Sequence, residues 1–100
     1  MDDISFSTRL ITLNGHFNVN VAISDCVNEY ISKMLPDDRK NLQNEYSAHI
    51  DNGDLDASQF YRATACDAKD EASARKFFED VYKYAFEGGE EPDVTNYWNR

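Results

Sequence analysis

From Ile4 to Ile23 the chain reads ISFSTRLITLNGHFNVNVAI, with apolar and polar residues alternating on both sides of Asn14-Gly15. Alternation is the pattern of a half-buried strand. Asn-Gly between two such runs favours a two-residue type I′ turn, whose central positions both need positive φ. With that turn as the loop, Thr12 pairs with Phe17, Leu10 with Val19, Thr8 with Val21 and Phe6 with Ile23. One face then carries Ile4, Phe6, Leu10, Phe17, Val19, Val21 and Ile23. Ile11 and Leu13 stand on the other, beside Arg9, His16, Asn18 and Asn20. A slip of one residue would turn the apolar set to solvent, so pattern and turn agree on one register.

Beyond Ser24 and Asp25, both good N-caps, the period becomes helical. Cys26, Val27, Tyr30, Ile31, Met34 and Leu35 share one helical face, and Pro36 ends it. A second helix is predicted from about Asp37 to Ile50, with Asp37 and Asp38 at its positive end and a thin stripe of Leu42, Tyr46, His49 and Ile50. Asp51-Asn52-Gly53 stops it, with Gly53 suited to a left-handed C-cap. Asp56 and Gln59 then have capping-box spacing, with Leu55 placed to staple against Phe60, so a short third helix should bury Phe60, Tyr61, Thr64 and Ala65. The fourth, from about Asp70 to Phe86, carries Phe77, Phe78, Val81, Tyr82 and Ala85 on one face, widened by Tyr84 and Phe86, and ends at Gly88-Gly89.

The tail holds Val94, Tyr97 and Trp98, too much apolar area to leave in water. It should add a short third strand to the hairpin or wrap the helices. The expected fold class is therefore α+β in a single domain, residues 1–100. An antiparallel hairpin (4–23) packs against three to four α-helices (25–87), followed by a tail (88–100). A two-stranded sheet has two open edges, which the tail, a partner or a second copy in a homodimer would close.

Composition sharpens the picture. With 41% hydrophobic and 13% aromatic residues, the chain should fold rather than behave as an acidic disordered tail. Nineteen acids against ten bases leave a net charge of −9, and the excess grows along the chain. Such a field repels nucleic acid and anionic membranes and favours a basic protein surface, the kind that nucleic-acid-binding proteins carry. The start MDDISF has neither a basic nor an apolar leader segment, and no apolar run approaches the roughly 18 residues of a membrane span, so a cytoplasmic protein is expected. Cys26 and Cys66, outside any CxxC spacing, read as buried thiols.

Candidate chemistry is sparse. His16 and His49 have no cysteine or second histidine at ligand spacing, so no metal site is expected. DNGDLDAS suggests a calcium loop, but with Asp54, Asp56 and Ser58 as first ligands, Gln59 occupies the glycine position and Ala65 the bidentate glutamate position. No nucleophile elbow, phosphate-binding glycine loop or Cys–His dyad is present, so neither an enzyme nor a cofactor is expected. What remains is the acidic surface: Asp67, Asp70, Glu71, Glu79, Asp80, Glu87, Glu90, Glu91 and Asp93. Glu79, Asp80 and Glu87 lie off the aromatic face of their helix and should point to solvent. Helix residues three or four apart sit about 5–6 Å from each other. That is comparable to phosphate spacing on a strand that carries one charge per about 3.4 Å of rise. Lys69, Arg75, Lys76 and Lys83 are interleaved, and Glu79–Lys83 has ordinary ion-pair spacing.

In size, charge and composition, over the whole chain and without a motif, the sequence resembles the small acidic inhibitors of phages and mobile elements: anti-CRISPR proteins, antirestriction proteins and DNA mimics. The resemblance implies a protein that blocks a host defence complex by occupying its DNA- or RNA-binding surface, in the host cytoplasm. Two other classes fit the composition: an immunity protein or antitoxin that neutralises a basic nuclease toxin, and an assembly or adaptor module that binds through apolar surface.

Overall fold

Where a hairpin was expected, the chain forms a helix. The computed structural model describes residues 6–17 and 27–99, and in it Thr8–Gly15 is α-helical (α1). Neither Asn14 nor Gly15 has positive φ, so the turn chemistry of Asn-Gly is not used. Leu10, Leu13, Asn14 and Phe17, at i, i+3, i+4 and i+7, are all buried, whereas Ile11 is 59% exposed. A strand would have turned Leu13 to solvent; the helix puts it in the core. Ile4, Ser5 and the part of the expected second strand from Asn18 to Ile23 lie outside the described residues.

Ser7 fixes the start of α1. Its Oγ accepts from the Leu10 amide at 3.2 Å, while its own hydroxyl and amide donate to the two carboxylate oxygens of Glu45 at 2.6 and 2.7 Å. A carboxylate at a helix N-terminus is favourable in its own right. At the other end, the Asn14 side chain accepts a 2.8 Å hydrogen bond from the Tyr46 hydroxyl. Both residues are buried there, Tyr46 completely, and burial pushes its phenol well above the usual value.

Four further α-helices are described: Val27–Ser32 (α2), Pro36–Asn52 (α3), Ala57–Thr64 (α4) and Glu71–Glu87 (α5). The local signals held. Pro36 begins α3, Asp56 caps α4 by accepting from Gln59 N at 3.1 Å, and Asp70 caps α5 by accepting from Ser73 N at 2.7 Å. Gly53 (φ 77°) and Gly88 (φ 74°) are left-handed C-caps. A Cβ at Gly53 would be strained and would stand 2.8 Å from Arg75 Nη1. Gly53→Ala is therefore expected to lower stability by about 1 kcal/mol, read from the urea midpoint, because Arg75 can move aside but the backbone strain stays.

Some expected core members are not core. Leu35 (69% exposed) and Tyr61 (56%) face outward. Helix α5 is central, packing against α2, α3 and α4, while α1 lies on α3 and α4. Phe77 of α5 is the hub: its ring meets those of Phe17, Phe60, Phe78 and Tyr97 edge-on, with centroids 5.0–5.3 Å apart.

The tail is a strap rather than a third strand. From Gly88 it passes a short 3₁₀ turn, Val94–Asn96, and returns to the loop before α5. There the Lys69 amide donates to Tyr97 O (2.9 Å) and the Asn99 amide to Asp67 O (2.7 Å), an isolated antiparallel bridge between Ala68 and Trp98. Among the described residues there is no β-strand. The described fold is all-α rather than α+β, and α1 takes the place of the expected first strand. Among those residues no helix is long and apolar enough to cross a membrane.

Candidate functional site

The nine acids singled out from the sequence separate into distinct surroundings. Asp70 and Glu71 sit at the N-terminus of α5 and hold structure together. Hydrogen bonds from the backbone and hydroxyl of Ser73, then the charge of Lys69, keep the Asp70 carboxyl below the usual range. Glu71 pairs with Arg75 at 3.1 Å and accepts the Ala57 amide at 3.2 Å, linking α5 to the start of α4. Glu79 is exposed beside a small crevice of about 40 Å³ that Arg75, Ile50, Leu55 and Phe78 also line. Asp67 is exposed on the loop before α5, and Glu87 is exposed as its last residue.

The other four come together. Asp80, Glu90, Glu91 and Asp93 border one open concavity of about 340 Å³ between α5 and the strap, with Lys83, Asn96 and Tyr97 among its other walls. Glu90, Glu91 and Asp93 are exposed. Asp93 caps the 3₁₀ turn: the hydroxyl and amide of Thr95 donate to its Oδ1 at 2.7 and 2.9 Å, holding its carboxyl below the usual range.

Asp80 departs from expectation. It is half-buried rather than solvent-facing, because the Tyr97 hydroxyl donates to its Oδ2 at 2.6 Å. Lys76 Nζ stands 3.3 Å from the same oxygen. Burial first, and then the bond to Asp80 and the charges of Asp80 and Asp93, raise the Tyr97 phenol well above its usual value. Tyr97 and Lys83 were not among the expected site residues. Tyr97 was recognisable only as an aromatic that had to pack somewhere.

Chemically, this concavity offers carboxylate acceptors, with one ammonium on its wall. It suits guanidinium and ammonium donors from a partner.

A second titratable group lies elsewhere. His49 Nδ1 is 2.9 Å from Asp54 Oδ2 and its Nε2 is 3.8 Å from Glu45 Oε2, with the Phe6 ring tilted against it at a centroid distance of 4.5 Å. Ser7 donates its proton to Glu45, not to the imidazole, so this chain of contacts lacks the nucleophile–base bond of an acyl-transfer triad. His16 takes part in no such group; its Nδ1 contacts the Thr12 carbonyl at 2.8 Å and its ring lies against Tyr30. Cys66 is a half-buried free thiol, and Cys26 lies outside the described residues. Among the described residues no cluster of three or more His, Cys, Asp or Glu side chains is arranged to hold a metal. No protein-family model matches the chain, and neither a curated protein nor a solved structure matches it.

Proposed function

We propose that this protein is a small acidic inhibitor that binds the basic surface of a nucleic-acid-binding protein or defence complex. Its carboxylates would occupy positions meant for phosphates. One observation carries the reading: in a chain of net charge −9, Asp80, Glu90, Glu91 and Asp93 converge on one concavity. The mechanism is competitive. Arginine and lysine side chains that would clamp a phosphate backbone clamp the carboxylates instead, and association is fast at low salt because opposite potentials steer the encounter. Asp67 and Glu87 extend the same sign of charge along the exposed surface, while Asp70 and Glu71 serve the fold.

The test is capture from host lysate at low and high salt, with the parent chain beside Glu90→Lys with Glu91→Lys. Both positions are exposed, so folding should be unchanged. The parent is expected to retain a basic nucleic-acid-binding protein at low salt that the double variant loses by tenfold or more, roughly the effect of a few charge contacts. A captured set indifferent to both salt and charge reversal overturns the reading. The identity of the captured protein separates a defence complex from a nuclease toxin.

The adaptor reading keeps one observation of its own. Ile11, Leu35 and Tyr61 are large apolar side chains more than half exposed, and it would give salt-insensitive capture lost on Ile11→Ser or Tyr61→Ser.

A further inference from the structure

Three of the four converging acids lie on the strap and one lies on α5, so the concavity exists only while the strap is seated. Seating joins two parts of the chain that are separated by the Gly88-Gly89 turn; Val94 and Trp98 of the strap pack on the core, and Tyr97 reaches both the core and Asp80. Its ring packs edge-on against Phe77 at 5.3 Å, its hydroxyl donates to Asp80 at 2.6 Å, and its carbonyl accepts the Lys69 amide at 2.9 Å. The ring and the hydroxyl do different work. The ring belongs to the apolar core, which needs no carboxylate. The hydroxyl reaches the one acid of the face that α5 supplies, and so sets Asp80 relative to Glu90, Glu91 and Asp93.

We propose that Tyr97 is the positioning residue of the acidic face, its hydroxyl holding the strap in register with Asp80 so that carboxylates from two elements present one surface. This rests on reading that face as a binding surface. The strap is then part of the site. With the hydroxyl bond made, Asp80, which also pairs with Lys76, stands in register with the three strap acids, and a partner meets them as one array; with it broken, the array is looser.

Tyr97→Phe keeps the ring on Phe77 and removes only the hydroxyl. Two readouts apply to it. The first needs no ligand: amide hydrogen exchange at Lys69 and Asn99, whose N–H groups hold the strap. It should accelerate about tenfold, the loss of one hydrogen bond to a charged group. The second is binding of decalysine across a salt series. The slope of log affinity against log salt counts engaged charges and should become shallower in Tyr97→Phe, while unfolding stays cooperative with a thermal midpoint lowered by about 5–10 °C. Asp80→Asn is the companion: its amide oxygen still accepts from Tyr97, so exchange should stay slow while the slope falls.

Unchanged exchange in Tyr97→Phe overturns the proposal. So does faster exchange with the parental salt slope, since Tyr97 would then be structural only. Parent protein with no salt-dependent decalysine binding overturns the reading of the face itself, and the proposal with it. That result is distinguishable, because it appears before any variant is made.

Discussion

Phe77→Ala is expected to cost about 3–5 kcal/mol of stability, a large effect for a single replacement. The side chain is fully buried, and four aromatic rings, from the turn just after α1, from α4, from α5 and from the strap, meet it edge-on. Such pairs contribute about 0.5–1.5 kcal/mol each beyond their buried area, because the positive edge of one ring meets the negative face of another. A domain of this size holds about 5–15 kcal/mol in all, so the alanine variant should keep a narrow margin at best. Phe77→Leu, which refills most of the volume, should lose about half as much and remain measurable. Guanidinium unfolding of both variants checks the series. An alanine variant within about 1 kcal/mol of the parent would mean that Phe77 is not the hub described above.

The second large effect belongs to Tyr46 and Asn14. Tyr46→Phe leaves Asn14 Oδ1 buried without its donor and should cost about 1–3 kcal/mol; Asn14→Ala strands the hydroxyl at similar cost. Asn14→Leu combined with Tyr46→Phe should recover much of that loss, because neither polar group is then left unpaired.

The same pair makes stability sensitive to alkaline pH. The folded state raises the Tyr46 phenol above its unfolded value near 10. Its contribution is therefore fully present below pH 10 and is lost as pH rises beyond it, when only the unfolded chain ionises. The slope from this one group approaches about 1.4 kcal/mol per pH unit. Tyr97 adds a loss of the same sign. Denaturant midpoints between pH 9 and pH 12 should fall in the parent and fall less steeply in Tyr46→Phe; equal slopes would exclude Tyr46 as the source.

The parts of the fold that were legible in the sequence are those decided locally. Asp56, Asp70, Gly53 and Gly88 mark helix ends because a cap is a contact within five residues, and the aromatic face of α5 is visible as a 3.6-residue period. The misreading of α1 has a definite cause. Its buried face includes an asparagine, so the helical period Leu10, Leu13, Asn14, Phe17 looks broken, while the alternation around Asn14-Gly15 looks intact. What makes Asn14 a core residue is a hydroxyl 32 residues away. No window-based pattern contains that information.

The site divides along the same line. Exposure of Glu90, Glu91 and Asp93 follows from composition. Their convergence on Asp80, and the half-burial of Asp80 itself, depend on Tyr97 reaching back to α5, a pairing with no local signature.

The ring cluster at Phe77 also bears on the order in which the chain can fold. Helical proteins usually fold quickly because most of their contacts are local. Here Phe17 must find Phe77, 60 positions further along the chain, and Ser7 must find Glu45. Closing loops of that length costs chain entropy before any contact returns it. Helices α4 and α5, joined by Phe60 on Phe77 and by Glu71 on Ala57, can associate first with little closure. Helix α1, whose hydrogen-bonding partners lie on α3 and whose following residue Phe17 rests on Phe77, is expected to join late. The expected nucleus is then the carboxyl-terminal half, with α1 docking late; low φ-values for substitutions at Leu10 and Leu13 beside higher ones at Phe60 and Phe78 would check it.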